Sequence, residues 1–318
     1  MSAIRLSFEF FPPRSAAQQP RFWRTLGRLE SLAPDFISVT WGALGTDSQA
    51  SLEILGRLVK ETDIPVAAHL TCAGMDTRQM HEALDKIEAL GIRHIVALRG
   101  DDSSIVAGQR STAAANPDLP DAAALVELIN GRNGDGHAVT DISVAAYPET
   151  HPKAVGLKED LAYLKRKLDA GGSRAITQFF FDAETFLRWR DKARAIGIEQ
   201  PLVPGILPVH DIDKVIAFSQ KCGASVPLSV AAPFQKAGSD AEHRSLAVAQ
   251  SVELCQTLQR EGVEDFHIYT LNQPDLGWQI GGTLLGFDLV RGRNSTASAA
   301  GSPQDVPPSA KSDKEKAA

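Results

Sequence analysis

Eight short, largely apolar segments recur along the chain, each followed by a stretch of helical periodicity. This alternation constrains the fold more than any other feature of the sequence. The segments are Leu6–Phe11, Phe36–Gly42, Val66–Cys72, His94–Gly100, Ile142–Pro148, Ala175–Phe181, Leu202–Pro208 and Phe266–Asn272. Several are nearly continuous in apolar residues, as in His94-Ile-Val-Ala-Leu, which is how strands covered on both faces of a parallel sheet read. Their shortness and β-branched content favour strand over buried helix. Between them, Met80, Ala83, Leu84, Ile87 and Leu90 repeat at helical spacing, with Asp76 or Thr77 placed to cap and Gly91 to stop the helix. Leu52, Leu55, Leu58 and Val59 form a second stripe, and Leu161, Leu164 and Leu168, closed by Gly171, a third. Eight strand–helix units predict an α/β fold, a (β/α)8 TIM barrel forming a single domain over residues 1–290. An open doubly wound sheet fits less well, because no glycine-rich nucleotide turn is present.

Three segments break the rhythm. Asp101–Pro120 is polar and follows the fourth strand, where a loop of that length is functional or disordered. Gly223–Asp240 precedes a long helix expected over Ala241–Glu261. Arg291–Ala318 is rich in Ser, Ala, Pro and Lys with almost no large apolar residue. Such a segment buries too little surface to offset its ordering entropy, so residues 291–318 are expected to form a disordered tail.

A net charge of -6 argues against nucleic acid or an anionic membrane surface as a partner. The three cysteines, Cys72, Cys222 and Cys255, are far apart and form no CxxC pair, so neither a zinc box nor a disulfide framework is indicated. There is no apolar leader and no apolar run long enough to span a bilayer, so a cytoplasmic setting is expected.

Catalytic groups of such barrels gather at the C-terminal ends of the strands. Glu9 lies in the first, between Phe8 and Phe10. Aromatic surroundings would raise its pKa and make it a general acid near neutral pH. A Glu that points outward and pairs with a lysine is the plainer alternative. Arg99-Gly100-Asp101 ends the fourth strand. Gly100 permits close ligand approach and Asp101 could accept hydrogen bonds from a heterocycle, unless Arg99 and Asp101 simply pair at the rim. His69, His94 and His267 read as core histidines, while His151 lies in a loop after Tyr147-Pro148, where a functional role is more plausible. No HxxxH or HExxH spacing supports a metal. Asp160, Tyr163, Arg166 and Lys167 form a stripe beside the apolar face of the helix after strand five. Two cations there could neutralise a pyrophosphate, although a solvated helix face has the same spacing. No GxGxxG or GxxxxGK[ST] motif occurs, so any dinucleotide must bind by another route.

Taken together and in order, the motifs Ser7-Phe-Glu-Phe-Phe-Pro-Pro, Ser38-Val-Thr-Trp-Gly-Ala, His69-Leu-Thr-Cys, Arg93-His-Ile-Val-Ala-Leu-Arg-Gly-Asp, Ile142-Ser-Val-Ala-Ala-Tyr-Pro-Glu, Leu164-Lys-Arg-Lys, Ile176-Thr-Gln-Phe-Phe-Phe-Asp, Pro204-Gly-Ile-Leu-Pro and Phe266-His-Ile-Tyr-Thr-Leu-Asn resemble the methylenetetrahydrofolate reductase family. Each is weak alone; as a set they span Leu6 to about Phe287. The resemblance implies non-covalent FAD held by Thr40, Trp41, Ala43, His69, Arg99, Gly100, Asp101, Ala122, Tyr147, His151, Ala154, Asp160, Tyr163, Arg166 and Lys167. It implies two half-reactions: NADH or NADPH gives hydride to the flavin, and 5,10-methylenetetrahydrofolate is then reduced to 5-methyltetrahydrofolate. Glu9 matches the general acid and Asp101 the carboxylate that contacts the pterin. Thr40, Gln178, Lys214, Phe218 and Gln273 complete the substrate-binding set. A homo-oligomer is expected.

Four departures stand out. Gln273 occupies the place where an arginine would grip the folate glutamate tail, and Lys214 is a weak candidate to compensate. Trp41 stands where Tyr is common, and Tyr163 where a shorter polar residue is familiar. Gly223–Asp240 matches poorly. With no room for a eukaryotic-type regulatory domain, the chain looks like the short bacterial form, for which NADH is the expected donor. The competing readings are a proline-dehydrogenase-like flavin barrel, a non-catalytic folate or flavin binder, and a Schiff-base lyase. The last lacks a lysine inside the strand segments.

Overall fold

The computed structural model describes residues 4–13, 15, 17–40, 48–100, 118–133, 139–271, 273–288 and 293–294. Eight parallel strands pair in sequence order and close on themselves as a barrel. They are β1 (Arg5–Phe10), β2 (Phe36–Val39), β3 (Val66–Thr71), β4 (His94–Leu98), β5 (Asp141–Ala146), β6 (Arg174–Phe179), β7 (Leu202–Ile206) and β8 (Asp265–Tyr269), with β8 returning to β1. The helices outside are α1 (Gln19–Glu30), α2 (Ser48–Glu61), α3 (Thr77–Ala89), α4 (Ala122–Asn133), α5 (Leu157–Asp169), α6 (Ala183–Ala195), α7 (Ile212–Cys222), α8 (Leu228–Lys236), α9 (Asp240–Arg260) and α10 (Pro274–Leu284). A two-residue antiparallel pair, β9 (Phe287–Asp288) with β10 (Arg293–Asn294), follows the last helix. Of the long loop read from sequence over 101–120 only 118–120 are described, and of the tail read over 291–318 only 293–294, which form β10; the rest of both lies outside the described residues.

Local chemistry sets the helix boundaries. Asp76 caps α3 through a reciprocal box, accepting from the Gln79 amide at 2.7 Å while the Gln79 side chain accepts from its own. Ser239 and Glu242 form the same box at the start of α9. Within Gly223–Asp240 the chain forms α8, a helix that sequence reading did not anticipate. Pro233 sits inside it, and proline is a signal against helix interiors.

Successive strand residues face opposite sides. The outward set, including Leu6, Phe8, Phe10, Ile37, Val39, Phe266 and Ile268, belongs to one apolar cluster shared with helix residues such as Leu26, Leu58, Leu84, Val126 and Leu164. The inward set is mixed. Phe36, Ala67, Val96, Ile176 and Val203 form a separate apolar plug, and the same barrel interior carries buried Ser7, Ser38, His69, His94, Ser143 and His267. A third cluster around Phe179, Leu207, Val215 and Phe234 seats α7 and α8 beyond the end of β7.

Candidate active site

Two groups of residues converge at the C-terminal mouth of the barrel. The first surrounds Glu9. Its carboxylate lies 3.5 Å from His69 Nε2 on β3 and 3.7 Å from His267 Nε2 on β8, with 18% of the side chain exposed. His267 Nδ1 in turn lies 2.7 Å from Ser7 Oγ. Thr270 fixes the strand end, donating both its backbone N–H and its hydroxyl to the Glu9 carbonyl.

The expectation that Glu9 has a raised pKa is corrected. Burial pushes it up, but the contacts with His267 and His69 outweigh burial and hold the carboxyl below the ordinary Glu range. The flanking rings that suggested a rise, Phe8 and Phe10, face outward into the helix layer. What surrounds the carboxylate comes from other strands. Burial also holds His69 below its ordinary value. His267, read from sequence as structural, is the residue that sequence reasoning missed. Its alternation with Phe266 and Ile268 marked it as inward-facing; its partner on β1 is distant in sequence.

The second group lies around α5. Lys167 is only 4% exposed and donates to the Ala145 carbonyl at the end of β5. Burial pushes its pKa down to about 8 against the pull of Asp160 and Asp121. Arg166 pairs with Asp121, which also accepts from the backbone N–H groups of Ala123 and Ala124 at the start of α4. The Tyr163 hydroxyl accepts the Ala122 N–H at 3.0 Å. Tyr163 therefore closes the N-terminus of α4, and both cations pass over its ring, Lys167 at 4.7 Å and Arg166 at 5.0 Å. Asp160 accepts the His151 N–H at 2.9 Å, His151 meets Tyr147 edge-to-face at 4.5 Å, and Ala154 donates to the His151 carbonyl. The stripe read from spacing thus ties together α4, α5 and the end of β5.

Thr40 Oγ1 and Ser38 Oγ are buried and have no hydrogen-bond partner among the described residues, and His69 Nε2 has only its 3.5 Å approach to Glu9. Buried polar atoms seldom stay unpaired, so the mouth presents polar atoms to a ligand. Gly100 follows β4 at φ +86, where an added Cβ would press on Thr71 and Ala73 at 3.0 and 3.1 Å. Arg99 carries the backbone into that turn, its carbonyl accepting from the Ala73 N–H. Gln178 sits at a register shift between β6 and β7. Such a bulge re-aims a side chain at a barrel rim. Phe218 stacks on Phe179 with ring centroids 5.5 Å apart and is half exposed. Trp41, Ala43 and Asp101 lie outside the described residues.

Lys214 is 85% exposed and bound to Asp211, the N-cap of its own helix, at 2.7 Å. Gln273 instead accepts a hydrogen bond from Arg21 on α1 at 3.0 Å. A groove of about 550 Å³ opens on the outside of α5, lined by Lys165, Arg166, Asp169 and Ile196 among others, so Arg166 borders it as well.

No group of His, Cys, Asp and Glu capable of holding a metal ion occurs among the described residues, and none of their helices is long and apolar enough to cross a membrane.

Residues 2–284 match the family profile described as methylenetetrahydrofolate reductase. The chain is 42% identical over 282 residues to the 5,10-methylenetetrahydrofolate reductase of Pectobacterium carotovorum, covering 88% of this chain and 90% of that one. It is 40% identical to the enzyme of the same name from Escherichia coli K12, with the same coverage. It is 33% identical to a maize protein named methylenetetrahydrofolate reductase (NADH) 1, covering 84% of this chain and 46% of the maize one. Among solved structures, a Clostridium thermocellum protein described as binding two copies of 5-methyl-5,6,7,8-tetrahydrofolic acid shares the fold with a TM-score of 0.58 at 15% identity, over 88% of this chain and 96% of that one.

Proposed function

The chain belongs to the methylenetetrahydrofolate reductase family, and on that premise we propose that it reduces 5,10-methylenetetrahydrofolate to 5-methyltetrahydrofolate, using non-covalent FAD and a nicotinamide dinucleotide. The observation that carries this reading is the Glu9 carboxylate, turned into the barrel mouth between His69 and His267. Opening the one-carbon ring of the substrate needs a proton on the departing nitrogen, and an inward carboxylate backed by two imidazoles is suited to supply it. Glu9 is held ionised while it faces only the histidines. A heterocycle laid over it removes its remaining solvent, which favours the protonated form.

The residues present fit a flavin dinucleotide. The unpaired Thr40 hydroxyl and the glycine turn at Gly100 suit a polar, planar ring approaching the strand ends. Lys167 suits a pyrophosphate, and Arg166 joins it on exchanging Asp121 for the anion. When bound, FAD would supply the hydride carrier shared by the two half-reactions. We assign Gln178 and Phe218 to the positioning of the substrate, and Asp101 to the pterin contact. NADH is the proposed donor, in keeping with the name of the maize relative.

The visible spectrum of the purified protein tests the reading. Flavin bands that bleach anaerobically with NADH and return on adding methylenetetrahydrofolate are expected. A flavin-free protein would overturn the cofactor assignment. Reduced flavin that methylenetetrahydrofolate leaves reduced, while proline reduces the oxidised form, would favour the proline-dehydrogenase-like alternative.

A further inference from the structure

Beside the Glu9 site lies a cavity of about 300 Å³ that the proposed chemistry does not use. Its apolar walls include Phe11, Pro12 and Leu271, and its polar residues are Gln18, Arg21, Thr25 and Gln273. It opens where β1 and β8 end, and these are the strands that carry Glu9 and His267. A molecule reacting at Glu9 can therefore extend into it. Leu271 holds a left-handed backbone at φ +46, a strained conformation for a side chain of that size. The turn it belongs to closes with the Gln273 N–H donating to the Thr270 carbonyl at 2.7 Å, which brings Gln273 back over the cavity.

Of the α1 arginines, Arg21 lines the cavity; Arg24, which likewise has no ion pair among the described residues, does not. Arg28 on the same helix pairs with Asp275, and Arg57 pairs with Glu61. Among the described residues Arg21 forms no ion pair; its Nη2 donates to the neutral Gln273 Oε1 at 3.0 Å. A guanidinium aimed by an amide, with no carboxylate opposite, at the edge of an apolar cavity matches an anion on the end of a flat apolar segment. Lys214 does not line this cavity and is bound to Asp211.

We propose that Arg21, oriented by Gln273, binds a carboxylate of the substrate's glutamate tail while the aryl segment preceding it lies along Pro12 and Leu271. Gln273 then acts at one remove, its amide oxygen aiming the Arg21 guanidinium. The assignment rests on the folate reading and adds the residue that grips the tail.

Steady-state kinetics with two substrates test it, 5,10-methylenetetrahydrofolate and the corresponding methylenetetrahydropteroate, which lacks the glutamate. Arg21→Ala should raise KM for the folate by about tenfold with little change in kcat, as expected for a charge-assisted hydrogen bond at a partly solvated rim. The parent should lose a similar factor on the pteroate, and the difference between parent and variant should vanish there. Arg21→Lys should recover part of the loss, and Arg24→Ala, exposed on the same helix outside the cavity, should match the parent on both substrates. An equal defect of Arg21→Ala on both substrates, or none on the folate, would overturn the assignment alone. A parent inactive on both would overturn the folate reading and this assignment with it.

Discussion

Glu9 and His267 face each other across the seam where β1 meets β8, carboxylate oxygen to Nε2 at 3.7 Å, and Ser7 holds the other ring nitrogen at 2.7 Å. The carboxylate is thus positioned from behind by a histidine that is itself fixed. Reduction of a flavin by a nicotinamide needs no proton from Glu9, whereas ring opening of the folate does. Glu9→Gln keeps shape and hydrogen bonding but cannot donate. Anaerobic stopped-flow absorbance should show flavin reduction by NADH close to the parent rate and reoxidation by methylenetetrahydrofolate at least about a hundredfold slower, the lower end for a positioned acid. Equal losses in both halves would make Glu9 a flavin-holding residue.

His267 lowers the Glu9 pKa and burial opposes it. His267→Asn removes the contact and leaves burial, so the Glu9 pKa should rise. The protonated form then persists to higher pH, and the pH profile of the folate half-reaction should shift upward. A profile that stays in place would show that Glu9 protonation does not govern that step.

Lys167 offers a separate pH signature. Its pKa is pushed down to about 8 by burial. For a base with a depressed pKa, the cation is present below that value and lost as pH rises through it. Affinity of the apoprotein for FAD, followed by quenching of flavin fluorescence, should therefore weaken above about pH 8. Lys167→Arg should remove that step because arginine stays charged. The same step in Lys167→Ala would assign it to another group.

The strands were legible almost residue by residue, because a buried parallel strand flanked by amphipathic helices leaves few alternatives. The expected ends ran one to three residues too far at the C-terminal side, as at Cys72, Gly100 and Phe181, since the ladder stops where chain turns outward to build the mouth. The helix stripe of Asp160, Tyr163, Arg166 and Lys167 was legible as spacing; the contacts of Tyr163 and Arg166 with Ala122 and Asp121 were not, because they depend on how α4 packs against α5. The Glu9 environment was misread for the same kind of reason. Phe8 and Phe10 are neighbours in sequence but lie on the opposite face of the strand, and the residues that set the charge state arrive from β3 and β8.

Gly205 marks a tight point in the barrel wall. A Cβ there would collide with the Thr177 carbonyl oxygen and meet Tyr269 Cε2 at 2.5 Å. That oxygen already accepts from the Tyr269 hydroxyl at 2.7 Å, and the Gly205 N–H donates to Thr177 Oγ1 at 2.9 Å. The contact at Thr177 is with backbone, so it cannot relax by a rotamer change. Gly205→Ala should cost about 3 kcal/mol, the upper end for overpacking, measured by urea unfolding. A loss below about 1 kcal/mol would mean that β6 and β7 separate easily.

The lower half of the barrel should control acid stability. His94 is buried against Phe36 at 4.4 Å between ring centroids, with Nε2 lying 2.8 Å from Ser143 Oγ. Its Nδ1 is 3.8 Å from Asp141, whose charge is already engaged by Arg174 at 2.7 Å. Burial, helped by Arg174 and opposed by Asp141, pushes the His94 pKa down from 6.5 to about 3. The unfolded chain therefore binds a proton near pH 6.5 that the folded chain refuses until about pH 3. Stability is level above the first value and falls as pH drops between the two, at up to about 1.4 kcal/mol per pH unit from this group. His69, shifted in the same direction, adds to the slope. His94→Gln retains a donor toward Ser143 and cannot titrate. The variant should be less stable than the parent at pH 7.5, yet its urea midpoint should depend less on pH between pH 6.5 and pH 4, so the two curves converge on acidification. Parallel curves across that interval would show that His94 takes up its proton without unfolding the barrel.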